Sequence, residues 1–386
     1  MTRHPAPLII VLWAAGLGAA AQFGKISVLY DLLVADYGTP GRVAFMVSVV
    51  GLVGLIFGTT AGIFVQRIGL RRVLLGALLL GAVLSAFQAL LPPYPVMMAS
   101  RVLEGVSHLG IVVAAPVLIA QSAPLRHQGL AMTLWSSFFG LSYAGLAVIG
   151  PRLVDWQGVK ALFLAQAGYL LAVAALLALL LPRLAPAVLP SLTLGGVLRQ
   201  HGTTYRSPRI AAPATGFFFY TLLYVALLTL LPPMLGADRA LAATAMPLVS
   251  ICVSLTLGVW LLRRVIAVRL VQGGFAVALL GALVMGLCWN VPPLRLAGAL
   301  LLAAALGIVQ GASFSSIPQL NASAGDRSLA AGAIAQLGNL GTTTGTPVLA
   351  ALIAGFGAAG VVGFAVPLCL GGILLHSLQA RRRQRG

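Results

Sequence analysis

Three ionisable side chains lie at helical spacing in an otherwise apolar stretch of the chain. Arg101, Glu104 and His108 follow one another at intervals of three and four residues within segment 96–120. This spacing places the three side chains on one face of a helix. Because charges are costly inside a bilayer, the cluster predicts a functional site. The alternative is an internal Arg101–Glu104 pair that only packs this helix against a neighbour.

Lys25 is the other charge that does not easily reach a membrane edge. It lies about nine residues before the outer end of the first apolar segment, and Glu104 lies a similar distance after the outer start of the fourth. The two side chains are therefore expected at comparable depth, where Glu104 can contact Lys25 or Arg101. Alternatively, Lys25 extends to the outer interface.

The charge of this cluster indicates what it could bind. Lys25 and Arg101 are positive, Glu104 is negative and His108 is titratable, so the resting site carries about one positive unit. An anion or a carboxylate-bearing solute complements that charge. We expect Glu104 with His108, beside Arg101, to exchange protons, because burial and basic neighbours act on Glu104 in opposite directions.

Polar side chains elsewhere in apolar segments are further candidates for solute binding. The predicted solute-binding residues are Lys25, Arg101, Gln22, Tyr143, Tyr220, Gln310 and Asn339. The second half supplies only uncharged groups to this set. Packing between helices is the alternative role for such side chains.

The composition is that of a polytopic membrane protein. Of 386 residues, 60% are hydrophobic and 8% charged, and the mean hydropathy is +1.03. The net charge of +18 does not predict nucleic-acid binding, because no basic domain stands clear of the apolar segments. Placing 17 basic residues inside and 5 outside satisfies the positive-inside rule with both termini cytoplasmic.

Breaks in hydropathy predict twelve transmembrane helices and an all-α fold. The segments are roughly 7–34, 43–65, 73–92, 96–122, 129–153, 160–182, 210–236, 241–262, 266–289, 294–320, 328–355 and 358–379. A proline- and arginine-rich linker, 183–209, separates a six-helix half, 1–182, from a second, 210–386. The Gly-x4-Arg spacing of Gly62 and Arg67 recurs at Gly258 and Arg263, and Gly110 has a weaker echo in Gly307. Two repeats with a site between them near the midplane are typical of secondary transporters.

The loop after the second segment resembles a motif of the major facilitator superfamily. The matching residues are Gly62, Arg67, Gly69 and Arg71, whereas Gln66 and Leu70 depart from the family pattern of Gly-x-Leu-Ala-Asp-Arg-x-Gly-Arg-Lys. The resemblance implies a major facilitator fold in which this loop helps to close the cytoplasmic gate. Because Gln66 replaces the aspartate, the charged part of that latch is in doubt.

Two further patterns bear on the branch of the family. Arg101 and Gly105 resemble the Arg-x-x-x-Gly pattern whose arginine is tied to proton coupling in drug/proton antiporters. Arg-x-x-Glu-Gly followed by Val-Ala-Ala-Pro116, together with the segment from Met132 through Trp135, is similar to the cyanate and nitroimidazole permeases. The Gly150-Pro151 pair is followed by Arg152, which departs from the antiporter pattern.

These observations predict a proton-coupled permease for a small, anionic solute in a bacterial inner membrane. It is expected to act as a monomer, with protons, solute and lipid as its partners and with no cofactor, metal or nucleic acid. Proton-antiport efflux of drugs or metabolites is the alternative within the same class. A membrane-embedded sensor or enzyme is the alternative from another class, but the sequence shows no Walker-type loop, catalytic triad or metal-ligand spacing.

Overall fold

The computed structural model describes residues 5–124, 131, 134–182 and 194–385, and these ranges contain helices without a strand. The earlier helices are α1 (Pro5–Val28), α2 (Tyr30–Tyr37), α3 (Pro40–Ser48), α4 (Gly51–Ile68), α5 (Leu70–Gln88), α6 (Tyr94–Ser122), α7 (Phe138–Gln157) and α8 (Val159–Leu180). The later ones are α9 (Leu194–Arg206), α10 (Ala211–Leu230), α11 (Arg239–Val253), α12 (Val259–Leu262), α13 (Ala267–Leu287), α14 (Pro292–Leu320), α15 (Ala324–Phe356) and α16 (Ala358–Arg385). The predicted all-α membrane fold is confirmed.

Ten helical stretches of the described chain are long and apolar enough to cross a membrane. Helices α7 and α15 overlap the fifth and eleventh predicted segments but are not among the ten. The number of twelve spans and the side on which the termini lie therefore stay predictions. Part of the fifth segment and the start of the linker, residues 183–193, lie outside the described ranges.

Several helix boundaries differ from the hydropathy pattern, two of them near the start of the chain. The first predicted segment is interrupted at Leu29, which separates α1 from α2. The second begins earlier than predicted, at Pro40, because the Thr39 hydroxyl accepts a hydrogen bond from the Arg42 backbone N–H at 3.4 Å. Proline at the first helical position after a capping threonine is a usual helix start.

Contacts divide the chain into two compact units. The first comprises Met1–Gly54 and Thr60–Ser191, and the second comprises Leu55–Thr59 and Leu192–Gly386. In the first unit α1 packs against α6, α7 and α8, and α5 packs against α6 and α8. In the second unit α10 packs against α15, and α13 packs against α14 and α16.

In each unit a glycine brings a long helix against a neighbouring carbonyl at a similar place in the chain. A methyl group on Gly105 of α6 would overlap the carbonyl oxygen of Val50, and one on Gly307 of α14 would overlap that of Ser250. The offsets are similar, 202 residues between the glycines (307 − 105) and 200 between the carbonyls (250 − 50). The repeat is therefore present in the packing, although the sequence echo had paired Gly307 with Gly110 instead.

Candidate functional site

The ionisable residues of α6 lie against the inner side of α1. Lys25 donates from Nζ to Glu104 Oε1 at 2.8 Å, and Arg101 Nη1 donates to Glu104 Oε2. All three side chains are fully buried. Lys25 therefore does not extend to the outer interface, and both contacts that the sequence allowed for Glu104 are present together.

Each cation has a second anchor inside the first unit. Lys25 Nζ also donates to Ser85 Oγ at 3.1 Å and lies 5.2 Å from the centre of the Phe163 ring. Arg101 donates from Nε to the carbonyl oxygen of Met46 at 2.9 Å. The site is thus built from α1, α3, α5, α6 and α8.

Three neutral residues of the site escaped sequence reasoning. Gln88 donates from Nε2 to Glu104 Oε2 at 3.0 Å and to Ser100 Oγ at 3.2 Å. Ser85 lies one helical turn earlier on α5 and donates a hydrogen bond from Oγ to the Phe163 carbonyl oxygen at 2.8 Å. A serine and a glutamine three positions apart in an apolar segment were the available signal. The partner of that face could not be read from spacing alone.

His108 lies at the edge of this cluster. Its Nδ1 is 3.1 Å from the carbonyl oxygen of Ala19, and its ring packs edge-on against Phe23 at 5.0 Å between centroids. Because a carbonyl only accepts, the Nδ1 atom carries the hydrogen and Nε2 is the acceptor in the neutral ring. The side chain is 7% exposed, whereas Glu104 has no exposed surface.

The other predicted residues of the first half have polar partners as well. Gln22 donates from Nε2 to Ser107 Oγ at 2.9 Å. The Tyr143 hydroxyl lies 3.2 Å from Ser27 Oγ, and its ring stacks on Phe139 at 5.1 Å. Both side chains are buried. Gln22 belongs to α1 itself, whereas Tyr143 reaches Ser27 of α1 from α7.

The charges of the cluster do not balance. One carboxylate lies between two basic groups that are all removed from solvent. Such a group of ions is costly in a low-dielectric interior unless it is neutralised. The arrangement can therefore bind an anion or exchange a proton.

The predicted residues of the second half do not form one hydrogen-bonded group among the described residues. The Tyr220 ring stacks on Tyr224 at 4.9 Å, and its side chain is buried. Asn339 donates from Nδ2 to the Ala335 carbonyl of its own helix at 2.7 Å. Gln310 is half-buried, with no hydrogen bond to another described side chain. Of the three, Gln310 has the amide that is free to bind a solute.

The predicted gating loop joins α4 to α5. Gly69 has φ of +101°, which favours glycine, and ends α4. Arg71 donates from Nε to the Leu181 carbonyl at 3.1 Å and from Nη2 to the Ala178 carbonyl at 2.9 Å. These are carbonyls at the end of α8, so Arg71 caps a helix of its own half. Gly62 and Arg67 lie on the last turns of α4, and the side chain of Gln66 is outside the described set.

No group of three or more metal-ligating side chains occurs in the part of the chain that the structure describes. The described cysteines are unpaired, and Cys369 is buried.

Two curated transporters share part of the sequence. The niacin transporter NiaP of Acinetobacter baylyi is 28% identical over 159 residues, which are 40% of this chain and 36% of the relative. A probable 4-methylmuconolactone transporter of Cupriavidus pinatubonensis is 27% identical over 131 residues, 34% of this chain and 29% of the relative. The chain thus spans about a third of the length of the curated relatives it matches.

Solved structures share the whole fold. A bacterial homolog of the human lysosomal transporter Spinster, inward-facing and unoccupied, has a TM-score of 0.77 at 12% identity and covers 99% of this chain and 98% of that chain. The human organic anion transporter MFSD10 (TETRAN) has a TM-score of 0.74 at 16% identity, covering 97% of this chain and all of the other. The sequence profile of the Major Facilitator Superfamily matches residues 11–341, and the chain therefore belongs to this superfamily of membrane transporters.

Proposed function

We propose that the chain is a proton-coupled secondary transporter of a small carboxylate-bearing solute in a bacterial inner membrane. The observation that carries this proposal is the buried group of Lys25, Glu104 and Arg101, with two cations for one carboxylate. A bound anion would neutralise the excess charge. An organic cation would increase it, which disfavours efflux of cationic drugs.

The curated relatives support this class of solute. One is named for niacin, which carries a carboxylate, and the other for a methylmuconolactone.

The residues have separate roles in the proposal. Glu104, His108 and Arg101 couple the solute to protons, and Lys25 and Arg101 attract the carboxylate. Gln22 and Tyr143 in the first half, and Tyr220, Gln310 and Asn339 in the second, orient the rest of the solute. Arg101 retains Nη2 without a hydrogen-bond partner among the described residues. Because this donor is buried, contact with a solute requires the surrounding side chains to move.

The proposal is tested by uptake into proteoliposomes. A panel of nicotinate, other small carboxylates, cations and neutral solutes is offered with and without an inward proton gradient. Wild type is compared with Arg101→Ala and with Arg152→Ala, a matched control in which an exposed arginine of α7 is removed. We expect gradient-dependent uptake of a carboxylate that Arg101→Ala abolishes and Arg152→Ala retains.

Transport of cationic or neutral compounds that is indifferent to Arg101 would contradict the proposal. It would make the cluster structural and favour antiport efflux. Carboxylate uptake that does not depend on the proton gradient would support the proposed solute class but contradict proton coupling.

A further inference from the structure

The ion cluster has three groups that could exchange a proton, and their hydrogen bonds distinguish them. Glu104 accepts from Lys25 at Oε1 and from Arg101 and Gln88 at Oε2. A protonated carboxyl would need an acceptor for its own hydrogen, but in this arrangement all three neighbours donate to Glu104. Glu104 is therefore held as the carboxylate, and Arg101 does not lose its proton in proteins.

His108 does not relieve the charge either. Its Nδ1 hydrogen is committed to the Ala19 carbonyl, so a second proton would enter at Nε2. Whenever Lys25 is protonated, that proton would place a third positive charge beside a single carboxylate. His108 is better suited to pass protons at the partly exposed edge than to hold one.

Lys25 satisfies its partners in either protonation state. It donates to two acceptors, Glu104 Oε1 and Ser85 Oγ, and Ser85 uses its own hydrogen on the Phe163 carbonyl. A neutral amine retains two N–H groups and can keep both bonds. The third hydrogen of the ammonium form has no hydrogen-bond acceptor in the described structure, only the nearby face of Phe163.

We propose that Lys25 carries the transported proton and that Glu104 is its fixed counter-ion, an inference that rests on the proposed function. With a neutral amine and no solute, Arg101 and Glu104 cancel. With the ammonium form, a bound carboxylate restores neutrality. In the step, a water molecule accepts the proton from Lys25 Nζ, and no other bond forms or breaks.

The need for a neutral cluster couples binding of the solute to binding of the proton. Because solute and proton each favour binding of the other, they travel together in the same direction. The expected ratio is one proton per monovalent carboxylate. The earlier expectation gave the carrier role to Glu104 with His108, whereas the hydrogen bonds favour Lys25.

Apart from the cluster itself, the described residues around Lys25 contribute no further buried charge. The charged groups that face Lys25 are Glu104 and Arg101 on α6, and the titratable His108 follows one turn later on that helix. Helix α7 contributes Tyr143 beside Ser27. Helices α5 and α8 contribute neutral groups. Other charged residues on the helices packed against α1 are exposed: Asp31, Asp36, Arg42, Arg152, Asp155 and Lys160.

The sequence permits a direct measurement, because Lys25 and Lys160 are its two lysines. A Lys160→Arg variant with ¹⁵N-lysine has a single labelled amine, whose nitrogen resonance separates ammonium from amine. Without solute, we expect the amine form at the alkaline end of the titration, and conversion to ammonium on acidification or on addition of a transported carboxylate. A resonance that stays ammonium up to the ordinary titration range of lysine would overturn the proposal, whether or not a solute is known.

Transport by variants supplies a second test. For one proton per solute, a gradient of one pH unit supports about tenfold accumulation of the carboxylate transported by wild type. Lys25→Arg keeps a permanent charge, so we expect accumulation to disappear while solute exchange without a gradient persists. Lys160→Arg, the same exchange at the exposed second lysine, should retain accumulation. Full accumulation by Lys25→Arg would refute the carrier role, whereas a wild type that moves no member of the panel would refute the proposed function alone.

Discussion

Replacing Glu104 by glutamine should destabilise the protein far more than replacing Lys25 by methionine. Glu104→Gln leaves Arg101, and Lys25 whenever it is protonated, buried without a counter-charge, and it replaces one of the two oxygens that accept from three donors by an NH₂ group. Breaking a buried ion pair from one side costs about 3–5 kcal/mol. Lys25→Met leaves the neutral Arg101–Glu104 pair and loses two hydrogen bonds, for about 1–3 kcal/mol.

The assay is the free energy of unfolding of purified protein in mixed micelles, titrated with a denaturing detergent and followed by circular dichroism. Asp155→Asn is the matched control, because it makes a similar carboxylate-to-amide change at an exposed position of α7. We expect a shift of less than about 0.5 kcal/mol for this control. If Glu104→Gln were no less stable than Asp155→Asn, or if Lys25→Met were the more damaging change, the charge argument would be refuted.

Three further changes test the packing and the polar neighbours. Gly105→Ala should cost about 1–3 kcal/mol in unfolding free energy, since its methyl group overlaps the Val50 carbonyl, whereas Gly76→Ala, with open space around it, should be neutral or stabilising; equal effects would exclude the close approach. Arg71→Ala should lower stability by about 1 kcal/mol through loss of its bonds to the end of α8, and exposed Arg72→Ala serves as its comparison in the same titration. Gln88→Met should weaken gradient-driven uptake by releasing Glu104 from one donor, and an unchanged accumulation ratio in proteoliposomes would show that this bond is dispensable.

Part of the site was predictable because helical spacing is a strong constraint. Intervals of three and four residues place Arg101, Glu104 and His108 together, and counting residues from the segment ends brings Lys25 to the same depth. The structure has these contacts. The experiments above distinguish a functional cluster from a merely structural one.

The remaining features depend on how helices rotate against one another. Spacing gives the face of α5 that carries Ser85 and Gln88, but not the helix which that face meets. The break at Leu29 has no proline or glycine to announce it. The start at Pro40 did have a local signal, threonine followed by proline, which hydropathy alone passes over.

Gly105 and Gly307 allow one unit of the molecule to be compared with the other. In the register they set, the positions 202 residues after Arg101 and Glu104 are Ala303 and Leu306, both buried, and Gln310 corresponds to His108. The second unit thus has the same type of glycine-to-carbonyl contact, but alkyl side chains occupy the positions that correspond to Arg101 and Glu104. Ions are therefore dispensable for assembling this pair of helices, and the molecule contains its own neutral counterpart. Burying Lys25, Arg101 and Glu104 costs solvation free energy. We infer that this cost is retained because the charged groups have a function that leucine and alanine side chains could not perform.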